Sequence, residues 1–171
     1  MRTALCLSGQ FRFVEQTFPL IKRNLIDCND VDIFIHSWYD EEHINKPYKY
    51  GGNGGWKDQR IKKDADKIAI DLYKPKSYKI EPEKSFIDSS IDFVPSLEKY
   101  FAGWKHEEFP EQFCNRMINN MYAMWYGIQQ SYILCQNYAL ENDISYGCVV
   151  RSRFDTEIHN PIRLSTYDQA Y

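Results

Sequence analysis

Arg151, Arg153, Asp155 and Glu157 alternate with Ser152, Phe154 and Thr156 in the stretch Tyr146 to Ile158, YGCVVRSRFDTEI. An Asp-x-Glu pair supplies hard oxygen ligands, which suit Mg²⁺ or Mn²⁺ and leave coordination positions open for substrate phosphates. The two arginines add planar positive charge beside the carboxylates. Ahead of them, Cys148-Val149-Val150 reads as a strand covered on both faces, and polar residues at the carboxyl end of such a strand sit where open α/β sheets bind ligands. Two acids near a strand end also describe an ordinary solvated turn, so the elements around them have to decide.

A second group of residues follows the first apolar run, Thr3 to Leu7, as Ser8-Gly9-Gln10-Phe11-Arg12. The glycine is expected to break the strand and to let a phosphate approach the backbone closely, and Arg12 can reach the same anion with two parallel donors. The other reading is a plain strand-to-helix turn with a surface arginine. A third group closes the run Val31 to His36: His36, Ser37, Trp38 and Asp40. A nucleobase could stack on Trp38 or Tyr39, or His36 caps the strand and Trp38 closes the core.

The chain has 171 residues, 43% hydrophobic and 16% aromatic, enough to bury one sizeable core in a single domain. Its net charge of −3 carries no basic field of the kind that dominates nucleic-acid affinity, so no nucleic-acid partner is expected. The apolar run at the N-terminus is too short for a secretion signal, and no stretch reaches the roughly 20 apolar residues of a transmembrane segment. A cytoplasmic protein is expected, of a bacterium or a virus-infected host cell. Cys6, Cys28, Cys114, Cys135 and Cys148 form no C-x-x-C pair and lie mostly among apolar neighbours, as small core residues of a reducing compartment.

The elements that must position these groups follow from periodicity. Strands are expected at Thr3 to Leu7, Val31 to His36, Ser77 to Ile80 and Gly147 to Arg151. Helices are expected at Phe13 to Ile26, regular only after Pro19, and at Asp58 to Tyr73, stopped by Pro75. Lys49 to Trp56, with four glycines, is a loop: a lid over a ligand or a surface excursion. It lacks the G-K-[ST] of a P-loop. Glu81 to Gln112 reads as an irregular insertion with one helix near Ser96 to Phe101. Phe113, Met117, Met121, Met124, Ile128, Tyr132, Cys135 and Ala139 keep one apolar stripe along a long helix, Phe113 to Glu141, expected to pack on the sheet. Asn119, Asn120, Tyr122 and Trp125 lie off it. Alternating strands and helices predict a mainly parallel sheet.

In that order, the strand running into SGQFR, the strand DIFIHSW, the helix NNMYAMWYGIQQSY and the strand ending VVRSRFDTEI resemble a small GT-A-type nucleotide-sugar glycosyltransferase of the bacterial or large-virus kind. The resemblance covers most of the chain. It implies a three-layer α/β/α sandwich with a mainly parallel, Rossmann-like sheet, and an acidic motif at the end of the central strand that holds the metal bridging the donor diphosphate. It places Asp155 and Glu157 on Mn²⁺ or Mg²⁺, and Ser8, Gly9 and Arg12 near the diphosphate. Arg151 and Arg153 would contact donor sugar or phosphates. His36 and Trp38, from the reading of the second strand's end, are the remaining candidate nucleotide contacts.

The implied activity is transfer of a hexosyl or deoxyhexosyl group from a nucleotide-diphosphate sugar to a glycan or other hydroxyl acceptor. A cation and arginine donors would stabilise the charge that develops on the departing diphosphate. Here the motif is D-x-E rather than D-x-D, and no nucleophile or base is identifiable. Only His159 to Tyr171 follow Ile158, which implies a domain short of an acceptor half, or an acceptor site built from Glu81 to Gln112 or from a second copy in a homo-oligomer. The competing readings are a non-catalytic nucleotide-sugar binding module and a metal-dependent phosphohydrolase, the latter weakened by the lack of a second acidic cluster.

Overall fold

The computed structural model describes residues 1–41, 44, 61–86 and 111–169, with backbone alone at 111–117 and 167–169. The glycine-rich loop Lys49 to Trp56, the expected start of the second helix at Asp58 and the helix expected near Ser96 to Phe101 lie outside these residues. The chain divides into two compact units, Met1–Glu83 with Gly127–Tyr171, and Lys84–Tyr126.

The first unit is an α/β arrangement on four parallel strands: β1 (Arg2–Gln10), β2 (Asp30–Trp38), β3 (Ser77–Glu81) and β4 (Cys148–Ser152), in the order β3-β2-β1-β4. β1 pairs with β2 from Arg2 opposite Asp30 to Gln10 opposite Trp38, and with β4 from Thr3 opposite Cys148 to Leu7 opposite Ser152. β2 pairs with β3 from Phe34 opposite Ser77 to Trp38 opposite Glu81. Side chains alternate between the two faces along each strand. Leu5, Leu7, Ile33 and Ile35 therefore cluster with Val14, Ile21, Ala65, Ala69 and Tyr73, from α1 (Val14–Ile21) and α2 (Ala65–Tyr73). Ala4, Cys6 and Phe34, on the opposite face, cluster with Cys135 of the long helix α3 (Glu111–Glu141).

Four local features depart from expectation. Gly9 does not break β1. With φ of 122° it stays within the strand, opposite Ser37, whose hydroxyl donates to the Gly9 carbonyl at 2.6 Å. Its conformation is one that side chains rarely adopt, which glycine tolerates without strain.

Pro19 lies inside α1 rather than ahead of its regular part. Its ring nitrogen cannot donate to the preceding turn, and the helix widens just after it into a π turn, Lys22–Ile26, closed by Asp27 N–H on Lys22 carbonyl at 2.8 Å.

β4 is an edge strand and not a central one covered on both faces, since Val149 is 46% exposed. Its apolar run has the composition of a buried strand, but of Cys148, Val149 and Val150 it is Val150 that packs against the core formed with α1 and α2.

The face of α3 that packs in the first unit is Gly127, Ser131 and Cys135, all buried; of these only Cys135 belongs to the apolar stripe, whose Tyr132 is 43% exposed. A Cβ at Gly127 would stand 3.4 Å from His36 Nδ1 and 3.6 Å from Ser8 Cβ. Close approach of helix to strands, rather than hydrophobic bulk, selects that face.

In the second unit the Phe86 and Tyr126 rings meet at a tilt of 50° with centroids 5.2 Å apart, and Phe86 N–H donates to Asn119 Oδ1 at 2.6 Å. Asn119, off the apolar stripe, is thus a backbone partner. Lys84 Nζ lies 3.9 Å from the centre of the Tyr126 ring, within cation–π range.

Candidate functional site

In this strand order the chain reverses direction between β1 and β4. Open parallel sheets bind ligands in the crevice outside the carboxyl ends of the strands at such a reversal. The two charged groups singled out in the sequence leave the sheet there. Gly9 and Arg12 lie at the end of β1, and Arg153 follows Ser152, the last paired residue of β4, which stands opposite Leu7.

The two exits are fastened together. The Phe154 side chain has no exposed surface and meets the Phe11 ring at 4.8 Å and the Tyr73 ring at 5.9 Å. The Thr17 hydroxyl of α1 bonds to the Phe154 carbonyl. Because Phe154 faces inward, Arg153 and Asp155 on either side of it face outward. Arg153 Nε reaches Asp155 Oδ1 and Nη2 reaches Oδ2, each at 2.7 Å. This two-bond fork favours the charged guanidinium and raises its pKa further.

Glu157 is exposed and lies 3.1 Å from His159 Nε2. Arg151, opposite Cys6, is also exposed. Among the described residues no group of three or more His, Cys, Asp or Glu side chains is arranged to hold a metal ion. The donor chemistry of two carboxylates still suits a hard cation, with Asp155 engaged by Arg153 in the structure as it stands.

On β1, Arg12 N–H donates to the Gln10 carbonyl at 2.8 Å, and its guanidinium bonds the Gln10 side-chain oxygen, while the Gln10 amide nitrogen bonds Glu83. Among the described residues nothing lies within 4 Å of where a Cβ would stand on Gly9, so none of them bars close approach to the backbone there. Ser8, by contrast, is buried beneath Gly127 of α3.

His36 and Trp38 are also interior, 0% and 6% exposed, with rings edge-on at 5.0 Å. Neither presents a face on which a base could stack. His36 Nε2 lies 2.8 Å from Glu81 Oε2, and the other Glu81 oxygen is 3.2 Å from Lys79 Nζ.

Seven residues were assigned to the nucleotide site from the sequence. Gly9, Arg12 and Arg153 lie at or just past the carboxyl ends of the neighbouring strands β1 and β4, with Arg151 opposite Cys6, while Ser8, His36 and Trp38 are buried. No family model, curated protein or solved structure matches the chain.

The sequence reading missed Phe154, Thr17, Gln10 and Glu81. Phe154 carried a usable signal, a lone aromatic in a run of alternating charged residues, which marks the inward position of an otherwise outward-facing segment. Glu81 fell outside the expected strand Ser77 to Ile80, and its place opposite Trp38 comes from the register of β3 on β2.

The amino ends of the strands hold a separate polar cluster. Asp32 is buried and accepts from Arg2 Nε and from the Tyr146 hydroxyl, both at 2.8 Å. Burial first, and then the bond to Asp32, push the Tyr146 hydroxyl well above its ordinary pKa. This cluster ties the entry of β4 to β2, at the end of the sheet opposite the β1–β4 crevice.

Proposed function

We propose that the chain is a GT-A-like, metal-assisted glycosyltransferase domain, in which α1 and α2 form one outer layer, the end of α3 the other, and the parallel sheet the middle layer. It moves a sugar from a nucleotide-diphosphate sugar to a glycan or other hydroxyl acceptor. The observation that carries this reading is that β1 and β4, neighbours at the strand-order reversal, each run on into an arginine, Arg12 after Gly9 and Arg153 forked to Asp155, with no described atom within 4 Å of a Cβ placed on Gly9. Reversals of this kind bind phosphate-bearing ligands in parallel sheets. Gly9 admits a phosphate to the backbone, and Arg12 and Arg153 offer planar donors to its oxygens.

Asp155 and Glu157 are the residues that would hold Mn²⁺ or Mg²⁺, which when bound would offset the charge developing on the diphosphate leaving group. Ser8, His36 and Trp38 act in this reading through support: they fill the space beneath α3 and fix the carboxyl ends of β1 and β2.

Calorimetry with uridine and guanosine diphosphates, with Mn²⁺ and again with a chelator, tests the proposal. Cation-dependent binding of one of them, followed by release of that diphosphate from its sugar ester in an acceptor screen, is the expected result. Absence of binding for both in the presence of Mn²⁺ would remove the donor site.

A further inference from the structure

We propose that Arg153 closes Asp155 to cations until an anionic ligand draws the guanidinium away, so that a divalent cation and a diphosphate enter this site together. The inference rests on reading Asp155 as a cation ligand. Both Asp155 oxygens are taken, at 2.7 Å each, by Nε and Nη2, the two donors on one side of the guanidinium. This is the strongest geometry available to a carboxylate and arginine. A cation arriving alone meets a fixed positive charge at the two oxygens it needs.

The two partners differ in freedom. The Arg153 side chain is 48% exposed and the Asp155 side chain 22%, so the guanidinium can turn into water while the carboxylate stays in place. The backbone between them is fixed, because Phe154 is fully buried against Phe11 and its carbonyl is bonded by Thr17. Exchange is therefore a rotation of one long side chain and not a loop movement.

A diphosphate offers Arg153 the same planar pair of oxygens that Asp155 does. Trading one for the other keeps the arginine doubly bonded and frees a negative Asp155 for the cation, which the diphosphate oxygens also attract. Each ligand then raises the affinity of the other by the same factor, as linkage requires.

Calorimetry on the parent and on Arg153→Gln, with Mn²⁺ alone, uridine or guanosine diphosphate alone, and Mn²⁺ with each nucleotide, tests this. Mn²⁺ alone should bind Arg153→Gln at least about tenfold more tightly than the parent, and the mutual enhancement seen in the parent should fall toward none. Unchanged or weaker Mn²⁺ binding in Arg153→Gln overturns the inference. So does Mn²⁺ binding that survives intact in the double variant Arg153→Gln, Asp155→Asn, which would place the cation elsewhere. Arg153→Lys, which keeps the charge without the fork, should fall between parent and Arg153→Gln and guards against a folding defect peculiar to glutamine. If the parent binds neither nucleotide with Mn²⁺, the glycosyltransferase reading fails, while the Mn²⁺-only comparison still decides whether the fork closes Asp155.

Discussion

The rings of Phe11 and Phe154 meet at 4.8 Å and join the end of β1 to the turn that follows β4. Both side chains are almost wholly buried, and the contact sets the position of Arg153 and Asp155 over the crevice. Phe154→Ala should leave a cavity and cost about 3–5 kcal/mol, the range for truncating a buried phenylalanine. Phe154→Leu, which fills most of the space, should cost about 1–2 kcal/mol. Denaturant midpoints measure both. Equal stability of parent and alanine variant would show that the turn is not held by this contact.

A second fastening lies farther along the same segment. The Asn29 amide nitrogen donates to the carbonyls of Leu25 and Ile162, each at 2.7 Å, and its oxygen accepts from Leu164 N–H at 2.8 Å. Buried Asn24 bonds the Ile158 carbonyl with its side chain, and its own carbonyl accepts from Ile162 N–H at 2.7 Å. Asn29→Ala strands three backbone groups and should cost about 2 kcal/mol, with each unsatisfied group worth about 1–3 kcal/mol if water cannot reach it. The loss should be accompanied by faster proteolysis after Ile158 than in the parent. Limited digestion followed by mass spectrometry checks this, and an unchanged cleavage pattern would count against the two asparagines as a strap.

How much of this was legible in the sequence depends on what each residue packs against. β1 and β2 are legible because Leu5, Leu7, Ile33 and Ile35 alternate with residues of the other face, a pattern that needs no partner to be read. β4 is found at the right place but in the wrong environment, because Cys148-Val149-Val150 has the composition of a central strand while the strand order leaves it at an edge. The length of α3 follows from its periodicity, yet its packing face does not. Cys135 is on the stripe, but Gly127 and Ser131 carry too little hydrophobicity to register, and at Gly127 the face is set by the nearness of Ser8 and His36. The charged residues of the crevice are legible by type. Their partners are not, since the Arg153–Asp155 fork depends on Phe154 turning inward against Phe11.

Gly127 offers a direct test of that close approach. In a helix interior Ala is favoured over Gly by about 1 kcal/mol, and a Cβ here would sit at ordinary contact distance, 3.4 Å from His36 Nδ1 and 3.6 Å from Ser8 Cβ. Gly127→Ala should therefore be neutral or stabilising by up to about 1 kcal/mol. Gly127→Leu must push the helix off the strands and should cost about 1–3 kcal/mol or more as an overpacked core does. Thermal unfolding of the two variants distinguishes them. A destabilising alanine together with a tolerated leucine would mean that the helix does not lie against β1 and β2 as described.

The last prediction concerns alkaline stability. Cys6 and Cys135 are buried beside one another, and burial first, then the neighbouring thiol, push the Cys6 pKa from 9.0 to about 12. Below 9.0 the native and unfolded chains both keep the Cys6 proton, and its contribution to stability is fully present. Between 9.0 and about 12 the unfolded chain releases that proton while the native chain retains it. The unfolded state then binds fewer protons, so stability falls as pH rises, by up to about 1.4 kcal/mol per pH unit from this group. Cys135 is raised as well, chiefly by burial, and acts in the same direction. Tyr73 and Tyr146 are raised by burial too and are common to parent and variant, so comparison of slopes removes them. Guanidinium midpoints in reductant at pH about 8 and about 10.5 should show a shallower alkaline loss in Cys6→Ala than in the parent. The parent's Cys6 should also resist alkylation at pH about 8 until the chain is unfolded, because the reactive species is the thiolate. Identical slopes with prompt alkylation of native Cys6 would show a thiol open to water, and with it a looser contact between α3 and β1 than the packing of Cys135 on Cys6 requires.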